Sequence, residues 1–159
     1  MADYPTKQFF GTAQTVITTA VDIAAANFSP STSTTEFNNT TDAAVPYATH
    51  ALAMGEFPDW AAAPVAGTQI ELWGVLKDVD GTDDDTDAPA TTSAGGARFF
   101  GAWTIAAADA LQRRTITISL EGVQKVDFYI KNATAQNMNN DAGTSCIVKV
   151  TPFSMGVTV

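Results

Sequence analysis

Six aspartates fall between positions 78 and 87, namely Asp78, Asp80, Asp83, Asp84, Asp85 and Asp87. Nowhere else does the chain gather hard oxygen ligands of the kind calcium takes. Their spacing does not make an EF-hand loop. Counted from Asp78, Gly81 stands fourth where the sharp turn belongs at the sixth place, and Pro89 stands twelfth in place of a bidentate glutamate. A carboxylate-pair hydrolase would need two carboxyls facing one cleft with one of them desolvated, and a run of aspartates on a loop meets neither condition. The preferred reading is a solvated turn, opened by Asp80-Gly81, whose charge discourages edge-to-edge pairing of sheets. No metal is assigned.

The other chemically capable residues stand alone. His50 is the only histidine and Cys146 the only cysteine. A general base needs a nucleophile and an orienting group around it, and no such motif is present, so a hydrogen-bonded structural histidine is expected at position 50. Cys146 sits in an apolar strand pattern and reads as a buried, inert thiol; a single cysteine also excludes an intramolecular disulfide. Arg113-Arg114 has no glycine-rich cradle beside it and reads as a surface or interface pair. Trp60, Trp73 and Trp103, with Tyr47 and Tyr129, could stack on sugar rings, but core packing accounts for most of them equally well. No catalytic residue and no cofactor are assigned.

The elements that would position these residues read as strands. In Ile70-Glu71-Leu72-Trp73-Gly74-Val75-Leu76 the apolar groups occupy both parities, as in a central strand between two packed layers. Val45 to Gly55 places His50, Leu52 and Met54 on one face and Tyr47, Ala51 and Ala53 on the other. Ala97 to Ile105 puts Phe99, Gly101, Trp103 and Ile105 on one parity. Thr115 to Glu121 and Lys125 to Lys131 alternate without a fault and are expected to pair as a hairpin across Gly122. Thr12 to Ala26 fits one long strand or two short ones. Thr144 to Phe153 carries Cys146, Val148 and Val150 on one side, with Pro152 expected to stop the ladder. Asn27 to Ala44 reads as a polar loop or an extended surface excursion, Glu56 to Ala66 as a connection with room for one helical turn, and Ala106 to Gln112 as a short turn or crossover.

About eight strands with turn signals between them predict an all-β class: an antiparallel β-sandwich, jelly-roll-like, with an extended N-terminal arm. The 159 residues suit one domain, divided here as an arm over 1–12 and a sandwich over 13–159. In the arm, Tyr4, Phe9 and Phe10 either cover the domain's own core or anchor on a neighbouring subunit. No apolar h-region opens the sequence and no window approaches a membrane span, so synthesis in a cytoplasm without membrane insertion is expected. The net charge is −9, with 2 Lys/Arg against 13 Asp/Glu over residues 1–96 and 6 against 4 over 97–159. Direct nucleic-acid binding would need a basic surface, and this balance argues against it.

The order of motifs resembles the small β-sandwich virion proteins of tailed bacteriophages, of the capsid decoration or cement type. The matching pieces are Gly67-Thr-Gln-Ile-Glu-Leu-Trp-Gly-Val-Leu76, Asp80-Gly-Thr-Asp83, Phe99-Phe-Gly-Ala-Trp103, Gln112-Arg-Arg-Thr-Ile116, Val126-Asp-Phe-Tyr-Ile-Lys-Asn132 and Ile147-Val-Lys-Val-Thr-Pro152. The Asn27 to Ala44 stretch is longer than in the plainest members. The resemblance implies a non-enzymatic protein on the capsid exterior, made in the host bacterial cytoplasm, with the major capsid protein as partner. It also implies a homo-oligomer, with a trimer at local three-fold positions as one form it could take. Interface contacts would come from Tyr4, Phe9, Phe10, Asp83, Asp84 and Asp85. The competing reading is a tail-associated structural or glycan- or receptor-binding module, with Trp60 as its exposed ring.

Overall fold

The computed structural model describes residues 6–42, 44–77, 88–139 and 145–157. Its strands are β1 (Thr6–Phe10), β2 (Gln14–Thr19), β3 (Phe37–Asn38), β4 (His50–Phe57), β5 (Asp59–Trp60), β6 (Gln69–Lys77), β7 (Arg98–Thr104), β8 (Gln112–Ser119), β9 (Lys125–Asn132), β10 (Met138–Asn139) and β11 (Cys146–Val157). One sheet runs β1-β11-β4-β8, with β2 also on β11; a second runs β3-β9-β6-β7; β5 and β10 pair by themselves. Every pairing is antiparallel.

The wiring is nested. β1 and β2 lie end to end along one side of β11, from Thr6 opposite Val157 to Thr19 opposite Cys146, and act as one interrupted strand. Inside that outermost pair come β3 with β9, β4 with β8, and β6 with β7. Lateral pairing of β11 with β4 and of β9 with β6 then joins these pairs into two sheets. A long antiparallel ribbon wrapped in this way is the double-sheet jelly roll.

Alternation explains which side chains meet between the sheets. On β6, Ile70 and Leu72 are fully buried in the main core, while Val75 and half-buried Trp73 face outward into a second cluster with Phe28 and Tyr129. Apolar groups on both faces thus mark a strand covered on both sides: Phe28 and the 91–97 loop pack over its outer surface, with the Phe28 N–H donating to Thr91 O. On β4 the inward residues are small, Ala51, Ala53 and Gly55. They leave room for the rings of Phe57 and Trp103, which meet edge to face at 5.3 Å.

Four expectations need correction. The two cleanest strands, β8 and β9, do not form a hairpin: β8 pairs with β4 in one sheet and β9 with β6 in the other. Perfect alternation fixes which face is apolar but not which neighbour is bonded, and the Leu120–Val123 turn between them buries both of those residues at the end of the core. Pro152 does not stop its strand. Gly11 N–H donates to Pro152 O, so the missing proline N–H falls on the side where β1 gives way to β2, and pairing with β4 continues through Phe153 opposite His50.

The Asn27 to Ala44 stretch is no surface excursion. It buries Phe28, Ser29, Phe37 and Asn39 and holds β3 and a 3-10 turn at Ser31–Ser33. Side chains replace ladder bonds here: Thr34 Oγ1 donates to Phe128 O (2.8 Å), and Asn39 Nδ2 donates to Ala48 O and Val123 O, each at 2.9 Å. Finally, β7 does not keep one apolar parity. A bulge opposite Leu72/Trp73 sends Phe99 outward onto Trp73 and Phe100 inward onto Phe128. The Ala106–Gln112 segment is a crossover between sheets, tied by the Gln112 amide to Ala106 and Ala108, and Glu56 to Ala66 contains β5 and no helix.

Candidate interaction surface

Residues directly opposite in an antiparallel pair share a face, and this assembles a site on the outside of the first sheet. Phe153 lies opposite both Phe10 on β1 and His50 on β4. Its ring sits 5.7 Å from Phe10, tilted by 46°, and 5.7 Å from His50, stacked at 28°. Three rings therefore run side by side across three strands. His50 continues this outer face into Leu52 and Met54, both half-buried, bordered by Thr115 and Thr117 on β8 and by Lys149 and Thr151 on β11. An ion pair of Arg113 with Glu56 at 3.2 Å closes its far end.

The near end is the open edge formed by β1. Phe10 (49% exposed) and Met155 (59%) stand on this outer face where β1 and the end of β11 pair, while Phe9 (39% exposed) turns to the opposite face of the same edge, against Gly156. Lys7 Nζ lies 5.7 Å over the Phe9 ring, an attraction between cation and ring face. The segment read as an arm is thus, over Thr6–Phe10, an edge strand of the domain's own sheet. Its hold on the body is reinforced at the break before β2, where the Asp42 carboxylate accepts the backbone N–H groups of Thr12, Ala44 and Val45. Those bonds, Thr12 first, keep the Asp42 carboxyl below its ordinary value.

Of the six residues expected at an interface, Phe10 is placed here and Phe9 on the opposite face of the same edge strand, while Tyr4, Asp83, Asp84 and Asp85 lie outside the described residues. Sequence reasoning named none of Phe153, Met155, Leu52 and Met54 as contact residues, although the apolar segment from Phe153 to Val159 reads as packing against the domain or a neighbour. The signal for Leu52 and Met54 was present in the strand parity, which groups them with His50 but does not say which face turns inward. The bulk of Phe57 and Trp103 decides it, because it needs small residues on the inner face.

The remaining chemically capable groups are accounted for by packing. His50 Nδ1 is 2.9 Å from Thr49 Oγ1. Cys146 is buried, and burial pushes its thiol pKa up, away from the reactive thiolate. Trp60 is 2% exposed, which removes it as a stacking platform for a sugar. Trp103 is fully buried, Tyr129 is buried, and Trp73 donates its indole N–H to Glu71 (2.9 Å), which also pairs with Lys131. Tyr47, by contrast, is 63% exposed. Among the described residues no three His, Cys, Asp or Glu side chains gather where a metal ion could sit. No described helix is long and apolar enough to cross a membrane. No protein-family model matches the chain, and no curated protein matches it.

Proposed function

We propose that the chain is a non-enzymatic structural protein of a tailed-phage virion: a capsid decoration or cement protein that binds across neighbouring shell subunits and stabilises the shell. The observation that carries this reading is the exposed pair Phe10 and Met155 at an open sheet edge, continuous with the Phe153–His50–Leu52–Met54 face, with Phe9 exposed on the other side of the same edge. A contiguous apolar patch rimmed by polar residues is a contact surface for another macromolecule, whereas a small-molecule site is concave with convergent polar groups. The jelly-roll wiring is one that viral capsid, lectin and cupin domains use. As a likeness of fold it supports the reading without carrying it. The motif order shared with small virion proteins of tailed phages points the same way, and the major capsid protein is the partner proposed.

The test is made on purified particles. A copy number close to that of the shell subunit, and loss of the protein from heads when Phe9 and Phe10 are both changed to Ser, would support the role. Both rings are exposed, so the double variant should stay folded. Unchanged retention would remove this edge from the attachment, and absence from heads would overturn the reading. Far fewer copies, located on tails, would favour the tail-associated module instead.

A further inference from the structure

We propose that β1 is a self-recognition edge: two copies of the chain pair their β1 strands antiparallel about a two-fold axis at Gln8, joining their first sheets into one continuous sheet. The inference does not depend on the virion reading.

The backbone defines what the edge offers. Gly11 N–H donates to Pro152 O, its direct partner in register, so residue 11 belongs to the set whose backbone groups point at β11. Bonding alternates along an antiparallel pair. Lys7 and Phe9 therefore also turn their N–H and C=O toward β11, and Thr6, Gln8 and Phe10 turn theirs outward. Among the described residues no strand pairs with that outer side. The edges at β7, β8 and β2 are protected. β7 and β8 flank each other where the two sheets meet, and β2 is met by the Thr34–Thr35 segment, through a bridge from Ile17 to Thr34 and Thr35 N–H to Val16 O at 2.8 Å. β1 is left as an open edge with no internal proline to block pairing, and its one charge, Lys7, shares the face of Phe9 and lies over that ring.

The occupant is argued from register and charge. With the axis at Gln8, residue 8 of one copy opposes residue 8 of the other and residue 6 opposes residue 10, so all three outward-bonding residues of each strand fall into hydrogen-bonded pairs. Lys7 then opposes Phe9 of the second copy, repeating between chains the contact of Lys7 Nζ with the Phe9 ring within one chain. No like charges are opposed. Although the whole chain carries −9, Lys7 is the only charged residue over 6–10 and 153–157, so the edge is free of the negative charge that keeps other surfaces apart. A two-fold contact closes on itself. It produces a dimer, and not the three-fold assembly that the family resemblance allows.

The full-length chain is followed by sedimentation over a concentration series. A reversible dimer is expected. Gln8→Pro removes an outward N–H without touching the bonds to β11, and should raise the dimer dissociation constant at least about tenfold while leaving the circular dichroism spectrum unchanged. Gln8→Cys places two thiols at about 5.5 Å between Cα atoms, within the ~4.4–6.8 Å that a disulfide spans. Mild oxidation should therefore give a covalent dimer, with buried Cys146 taking no part. A wild-type monomer at every concentration, a trimer, or a dimer unaffected by Gln8→Pro and not cross-linked by Gln8→Cys would overturn the proposal. Should Gln8→Pro disturb the fold, the Gln8→Cys result decides alone.

Discussion

Trp103 on β7 donates its indole N–H to the carbonyl oxygen of Ala53 on β4, 3.1 Å away, and so ties the two sheets together through the core. The bond explains why β4 turns alanines inward. The ring needs the space that a larger residue at 51 or 53 would occupy, and a buried indole N–H needs an acceptor.

Trp103→Phe should lower stability by about 2–4 kcal/mol, combining a lost buried hydrogen bond with a cavity beside Phe57. Urea unfolding followed by circular dichroism should show a lower midpoint with an unchanged slope. A shift below about 0.5 kcal/mol would mean that the tie is dispensable.

Asp42 gives a pH signature. Its folded-state pKa is depressed by the backbone N–H groups of Thr12, Ala44 and Val45. Its contribution to stability is therefore complete above the unfolded-state value of about 3.9, and is lost as pH falls through the depressed folded value. Comparing urea midpoints of the wild type and Asp42→Asn across pH, the gap should stay constant from neutral to mildly acidic conditions and narrow below about pH 4. A gap that widens on acidification would contradict the assignment.

Asn132 is completely buried and serves four bonds. Its Nδ2 donates to Ile23 O (2.9 Å) and Gln136 O (2.8 Å), while its Oδ1 accepts from Thr134 N (3.1 Å) and Thr134 Oγ1 (2.8 Å). Asn132→Ala should cost about 2–4 kcal/mol, because it strands several buried backbone groups at once. Thermal unfolding should report the loss as a lower midpoint, and Thr134→Ala should cost less.

Cys146 should resist an aqueous thiol reagent in the native protein and react only as fast as the chain opens, since its side chain is buried and its thiolate disfavoured. Labelling followed by mass spectrometry, with and without urea, measures this. Rapid native labelling would show that β11 frays at its first residue.

The layered character of the fold was legible because period-two patterns survive in β6, β8, β9 and β11, and Ile70 to Leu76 announced a strand covered on both faces. Neighbour relations were less legible. Alternation in Thr115–Ser119 and Lys125–Lys131 is the same whether those strands bond to each other or to strands far away in the chain. The bulge at Phe99/Phe100 broke the parity where pattern reading assumed it, and the threonine and asparagine side chains of the 27–44 stretch supply backbone partners that composition disguises as loop. As for the surface, Phe9 and Phe10 were visible as aromatics out of place in a polar segment. Phe153 and Met155 stood in an apolar segment that read as packing against the domain or a neighbour, but Pro152 looked like a block to the ladder that carries them.

The nesting of the strands also dictates an order of assembly. β6 and β7 can pair as soon as both exist, whereas β1 and β2, among the first strands to be synthesised, have their partner in β11, the last of the described strands. Until then the backbone groups and rings of β1 have no ladder to enter, and β2 has only its bridge to the Thr34–Thr35 segment. Such long-range closure makes for slow folding and a long exposure of bare strand during synthesis. The outermost pair is therefore the step at which a nascent chain is most open to joining the wrong copy of itself.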